Sequence, residues 1–84
     1  MKNGMKAKVS VTLKRGILDP QGQAVLHALG SLGHTGVKDV RMGKLVELEL
    51  ATNDRAGAEA DVKTMCERLL ANTIIEDYRI EIVD

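Results

Sequence analysis

Apolar and polar residues alternate from Lys6 to Lys14: Val9, Val11 and Leu13 fall on one side, Lys8, Ser10, Thr12 and Lys14 on the other. Successive side chains of a strand point to opposite faces, so this run reads as a half-buried β-strand. The period then changes. From Pro20 to about Leu32, the residues Val25, Ala28, Leu29 and Leu32 recur on one helical face. Leu45 to Ala51 restores the two-residue period, with Val46, Leu48 and Leu50 against Glu47 and Glu49. A second helical stripe, Ala58, Val62, Met65, Cys66 and Leu69, lies within about Ala56 to Ala71. Tyr78 to Val83 alternates again, with Tyr78, Ile80 and Ile82 inward. Val37 to Met42 reads as one further short strand, ended by a turn at Gly43. The order β-α-β-β-α-β predicts an α+β, ferredoxin-like two-layer sandwich: an antiparallel sheet with both helices on one face.

Local signals support the helix boundaries. Asp19 precedes Pro20, and Asp caps free backbone N–H groups while Pro suits the first helical position. Gly33 closes the first helix, and Asn72 is the expected left-handed cap of the second. Gly22 is the exception, because a glycine inside a first turn costs roughly 1 kcal/mol against a helix former. Gly22 and Gly30 both suggest close approach of a neighbouring backbone, from this chain or another.

The two halves echo one another. Val9, Val11 and Leu13 match Val46, Leu48 and Leu50 at one offset. Leu32, Thr35, Val37, Asp39 and Arg41 match Leu70, Thr73, Ile75, Asp77 and Arg79 at an offset one residue larger. An Asp–x–Arg pattern in each half favours two βαβ units related by a pseudo-twofold. The face away from the helices would carry Lys8, Ser10, Thr12, Glu47, Glu49, Arg79 and Glu81, with Lys and Glu pairing across neighbouring strands.

With 84 residues the chain holds one domain, expected over 6–84 behind a flexible lead-in at 1–5. The core must be aliphatic, because Tyr78 is the single aromatic residue. A domain this small removes only roughly 60–65% of its unfolded surface from water, so self-association is expected. A formal net charge of zero is a poor electrostatic footprint for nucleic acid. The lone Cys66 allows no intramolecular disulfide and suggests an intracellular location. No apolar run approaches the length of a membrane span.

No catalytic constellation stands out. His27 and His34 have no Cys or carboxylate at metal-ligand spacing, and Cys66 sits on an apolar stripe where cysteines act as small hydrophobes. The glycines do not form a phosphate-binding loop. RNA-recognition domains of this fold stack bases on sheet aromatics, which are missing here, and metal chaperones need paired cysteines. A stand-alone module that senses small molecules stays open on these grounds.

The residues themselves resemble a known family. Val11-Thr12-Leu13-Lys14, Gly16, Leu18-Asp19-Pro20-Gln21-Gly22 and Ala24-Val25 are similar to the start of the PurS family. So are Ser31-Leu32-Gly33, Val37, Val40-Arg41, Gly43-Lys44 and Glu47-Leu48-Glu49-Leu50. The closing runs Met65-Cys66-Glu67, Leu69-Leu70-Ala71-Asn72, Ile75-Glu76-Asp77-Tyr78 and Ile80-Glu81-Ile82 extend the likeness over nearly the whole chain after Lys6. Arg15 and Thr73 depart from it, standing where the family often has Pro. The resemblance implies the small subunit of phosphoribosylformylglycinamidine synthase, in purine synthesis. It implies a large synthetase subunit and a glutaminase subunit as partners, bridged by this chain, and a homodimer or higher homo-oligomer. It also implies that ATP and magnesium are used by the synthetase subunit. No catalytic, cofactor or metal residue is implied here, nor a nucleic-acid or membrane partner, and the location is cytoplasmic. Arg15, Gly16, Asp19, Pro20, Gln21 and Gly22 are the expected partner interface.

Overall fold

The structure is a computed structural model and describes residues 4–83. Its elements are β1 (Met5–Leu13), α1 (Pro20–Ser31), β2 (Gly43–Leu50), α2 (Arg55–Met65) with a π-helical turn at Cys66–Leu70, and β3 (Glu76–Val83). β1 lies at the centre of an antiparallel three-stranded sheet of order β2-β1-β3. Alternation fixes the register: Val9 faces Val46 on one side and Ile80 on the other, and Ala7 faces Leu48 and Ile82.

The α+β class and the antiparallel sheet follow the sequence expectation. The core is small and aliphatic. Ala7, Val9, Val11 and Ile82 on the sheet meet Ala58, Val62, Cys66 and Ala71 from the second helical segment. On the opposite face Lys8 sits between Glu47 and Glu81, and Lys6 reaches Glu47 at 3.9 Å. This is the cross-strand charge pairing that the alternation predicts.

Several expectations are corrected. Val37 to Met42 is not a strand: it pairs with no strand, and no turn separates it from Gly43. A hairpin partner of β2 would have to reverse direction at Gly43. Gly43 instead opens β2 opposite Thr12, where a β-carbon would strike the Val11 carbonyl. The sheet therefore has three strands within the described residues, and β2 keeps a free edge.

α1 also departs from the expectation that both helices cover the sheet. Val25, Leu26 and Leu29 are only half-buried, Leu32 is 75% exposed, and none belongs to the core. The radius of gyration is 16.4 Å, against about 12 Å for a compact chain of this length.

The second helix ends differently as well. Ala71 N–H donates to the Cys66 carbonyl at 3.0 Å, an i→i+5 bond that widens the last turn. The wider turn shifts the phase of the stripe. Leu69, expected inside, is 83% exposed, and Leu70 packs against the core instead. Asn72 is not left-handed, since among the described residues only Gly4 and Gly33 have positive φ. Its N–H donates to Glu76 Oε1 at 2.6 Å, and its Oδ1 accepts from Ile74 N–H at 3.2 Å. The expected lead-in falls partly outside the described residues. Within them, Gly4 N–H donates to Asn53 Oδ1, and Met5 pairs with Leu50 in β1.

Candidate functional site

The segment 15–22 and the segment 39–42 are tied together at the base of α1. Asp19 is the hub. Its Oδ1 accepts from Gly22 N–H at 2.9 Å, which caps the helix, and its Oδ2 accepts from Met42 N–H at 2.8 Å. Two backbone donors hold the carboxylate below the usual aspartate range, with a smaller contribution from the Arg41 charge. Asp19 is only 5% exposed, the one buried charged residue described.

Arg41 closes the arrangement from the other side. Nη1 donates to the Ile17 carbonyl at 2.7 Å and Nη2 to the Arg15 carbonyl at 2.8 Å. The planar guanidinium thereby ties two carbonyls of the loop after β1 to the segment 39–42. Asp39 stands 3.9 Å from Arg41 Nε and caps its own segment by accepting from Val40 N–H. Gly22 explains its unfavourable position in the first turn: a β-carbon there would strike the Val40 carbonyl. The close neighbour belongs to this chain. Gly30 has open space where a side chain would stand, so nothing described requires a glycine there.

The expected interface residues therefore divide into two groups. Asp19 and Gly22 are buried inside this clasp, while Arg15, Gly16, Pro20 and Gln21 are exposed on its surface. Sequence reasoning missed Val40, Arg41 and Met42 as the other half of the clasp. The signal in the sequence is the repeated Asp–x–Arg, which by itself points only to symmetry.

The remaining candidates show no catalytic geometry. His27 and His34 are exposed on α1 and the turn after it. Cys66 is fully buried, and burial pushes its thiol above the ordinary value, with the Glu67 charge adding to this. A thiol that resists ionisation is a poor nucleophile. No group of three or more His, Cys, Asp or Glu among the described residues is placed to hold a metal ion. No described helix is long and apolar enough to cross a membrane.

Comparison with known proteins gives a consistent picture. A family model described as "PurS: Phosphoribosylformylglycinamidine (FGAM) synthase" matches residues 6–84. The PurS subunit of Bacillus subtilis phosphoribosylformylglycinamidine synthase is 56% identical over 77 residues, which are 92% of this chain and 90% of that protein. The corresponding Synechocystis subunit is 46% identical over 98% of this chain and 82% of its own length. The Bacillus subtilis PurS crystal structure superposes with a TM-score of 0.83 at 54% identity, over 95% of this chain and 99% of that one. A chain of the PurLQS structure from Thermotoga maritima matches with a TM-score of 0.87 at 28% identity, covering 98% of this chain and all (100%) of that chain.

Proposed function

The chain belongs to the PurS family, and from that premise we propose that it works as the small subunit of phosphoribosylformylglycinamidine synthase. That enzyme is a glutamine-dependent, ATP-consuming ligase of purine synthesis. It converts formylglycinamide ribonucleotide, glutamine, ATP and water into formylglycinamidine ribonucleotide, glutamate, ADP and phosphate. In this reading the chain makes no bond itself. It bridges a synthetase subunit and a glutaminase subunit in the cytoplasm and helps ammonia pass between them, while ATP and magnesium act on the synthetase.

The observation that supports this reading is a molecule rich in open surface and poor in chemistry. α1 stands away from its own sheet with Leu26 and Leu29 only half-buried and Leu32 exposed, and β2 has a free edge. A chain whose described residues form no fourth strand and leave one helix and the segment 37–42 outside the sheet and its covering layer is complementary to a second copy of itself. Homo-oligomerisation by exchange of α1 and residues 37–42 would complete both sheets. The exposed part of the clasp, Arg15, Gly16, Pro20 and Gln21, would face one of the other subunits.

Reconstitution tests this. With the synthetase and glutaminase subunits present, omitting the chain should abolish glutamine-driven product formation but leave synthesis from added ammonium largely intact. Unchanged glutamine-driven synthesis without the chain would overturn the bridging role. Gln21→Trp should weaken co-purification with the other subunits without altering the chain's own fold. Normal assembly of that variant would remove the clasp surface from the interface.

A further inference from the structure

The two Asp–x–Arg patterns, one from each half of the chain, meet at a single cavity. It lies on the outer face of the sheet, opposite α2, and measures about 850 Å3. Sites for small ligands usually span roughly 300–1,000 Å3. Ser10 and Thr12 of β1 form its floor, beside Arg79 and Asp77 of β3, which they face in register. Arg41, Asp39 and Arg15 from the clasp form a wall.

The charges in this cavity do not cancel. Asp77 already lies 3.9 Å from Lys14, and Asp39 lies 3.9 Å from Arg41. Arg41 is further occupied by the carbonyls of Ile17 and Arg15. The guanidiniums of Arg15 and Arg79 take part in none of the ion pairs or hydrogen bonds described, and both residues are exposed. Guanidinium groups donate and never accept. The Ser10 and Thr12 hydroxyls beside them add two further donors. What is left over in the cavity is therefore a set of donors around positive charge, with each carboxylate already answered by a cation. Two forks and two hydroxyls offer more N–H and O–H groups than one carboxylate has oxygens to receive. A phosphate, with three outer oxygens and more charge, fits that donor set better.

We propose that this cavity binds a small phosphorylated ligand, with its phosphate held between Arg15 and Arg79 over the Ser10 and Thr12 hydroxyls. Arg41 is the positioning residue, since its bonds to the Arg15 and Ile17 carbonyls set where Arg15 stands.

The test uses the intact chain alone, so it is independent of the reconstitution above. Inorganic pyrophosphate, and separately ATP, is titrated at low salt while backbone amide shifts are followed. Saturable shifts should centre on Ser10, Thr12, Arg79 and residues 39–41. Arg79→Gln should weaken binding by about tenfold, the loss expected for one charged fork, and Arg15→Gln should act similarly. Lys63→Gln, on the far side of the molecule, should change nothing, and circular dichroism should show all three variants folded. Non-saturating shifts, or an equal loss in Lys63→Gln, would mean diffuse electrostatics and overturn the site. Normal pyrophosphate affinity in Arg79→Gln would do the same. If neither probe binds while Arg79→Glu blocks assembly with the other synthase subunits, the face is a protein contact and the small-ligand proposal fails.

Discussion

α1 and α2 start alike and end up in different places. Each begins at an aspartate that accepts the N–H of a glycine three residues on, Asp19 from Gly22 at 2.9 Å and Asp54 from Gly57 at 3.2 Å. Each carries an apolar stripe. Yet α2 and its π-helical turn bury Ala58, Val62 and Cys66 against the sheet, and α1 buries no apolar side chain. The difference lies in the connections. α2 links β2 to β3, the two strands that flank β1, so its short connections draw it across the sheet. α1 is fastened at its base, where Asp19 and Arg41 bind segments 39–42 and 15–17 to one another. Capping and amphipathicity specify that a helix forms; its tethers decide what it packs on.

The largest expected effect separates the two stripes directly. Val62→Asp places a charge at a fully buried position and should unfold the chain, a cost above roughly 4 kcal/mol. Leu29→Asp should leave the monomer folded and abolish self-association, read by sedimentation beside thermal melting. If Leu29→Asp unfolds the chain as Val62→Asp does, α1 is part of the monomer's core and the contrast collapses.

The glycines of α1 offer the next comparison. Gly22→Ala drives a β-carbon into the Val40 carbonyl and should cost about 2 kcal/mol. Gly30→Ala meets open space and should stabilise by up to about 1 kcal/mol. Equal effects in denaturant melts would mean that segment 39–42 yields freely.

The caps should also separate. Asp54→Ala removes one capping bond and should cost about 1 kcal/mol. Asp19→Ala removes a cap and the Met42 tie together, so its loss should be the larger and should raise hydrogen exchange at Met42. The folded Asp19 carboxyl titrates below its unfolded value. Its contribution is therefore complete above the usual carboxylate range and disappears as pH falls through the lowered value. The protection of Met42 N–H, judged by its exchange rate relative to the free amide at the same pH, should fall in acid in the wild type and lose that dependence in Asp19→Asn. An unchanged acid profile in the variant would assign the dependence to another group.

The smallest effect concerns the α2 half. Tyr78 donates to Glu67 Oε2 at 2.9 Å, which raises its phenol above the ordinary tyrosine value. Glu67→Gln should bring the alkaline titration back toward that value with little change in melting. A titration that stays raised would leave burial as the main cause.

Much of the sheet was legible because alternation is local. The inward set of β1, β2 and β3 and the pairing of Lys6 and Lys8 with Glu47 and Glu81 follow from a two-residue period. Leu69 faces solvent against expectation because a π-helical turn changes the phase, and no residue type announces it. Val37 to Met42 was misread because β-propensity describes an extended backbone and not its partner. The clasp was half legible. The Asp19-Pro20 cap is a local signal, whereas the reach of Arg41 to carbonyls 24 and 26 residues away is not.

The sequence by itself determined the two helices, the three strands that pair, the start of α1 and the apolar face of the sheet. Those properties depend on neighbours along the chain, through period, capping and side-chain size. Only the tertiary structure decided that α1 stands clear of its sheet, that Gly22 makes room for Val40, and that the two Asp–x–Arg patterns share one cavity. Each of those depends on which distant backbone comes to rest beside a residue, and local periodicity carries no record of that.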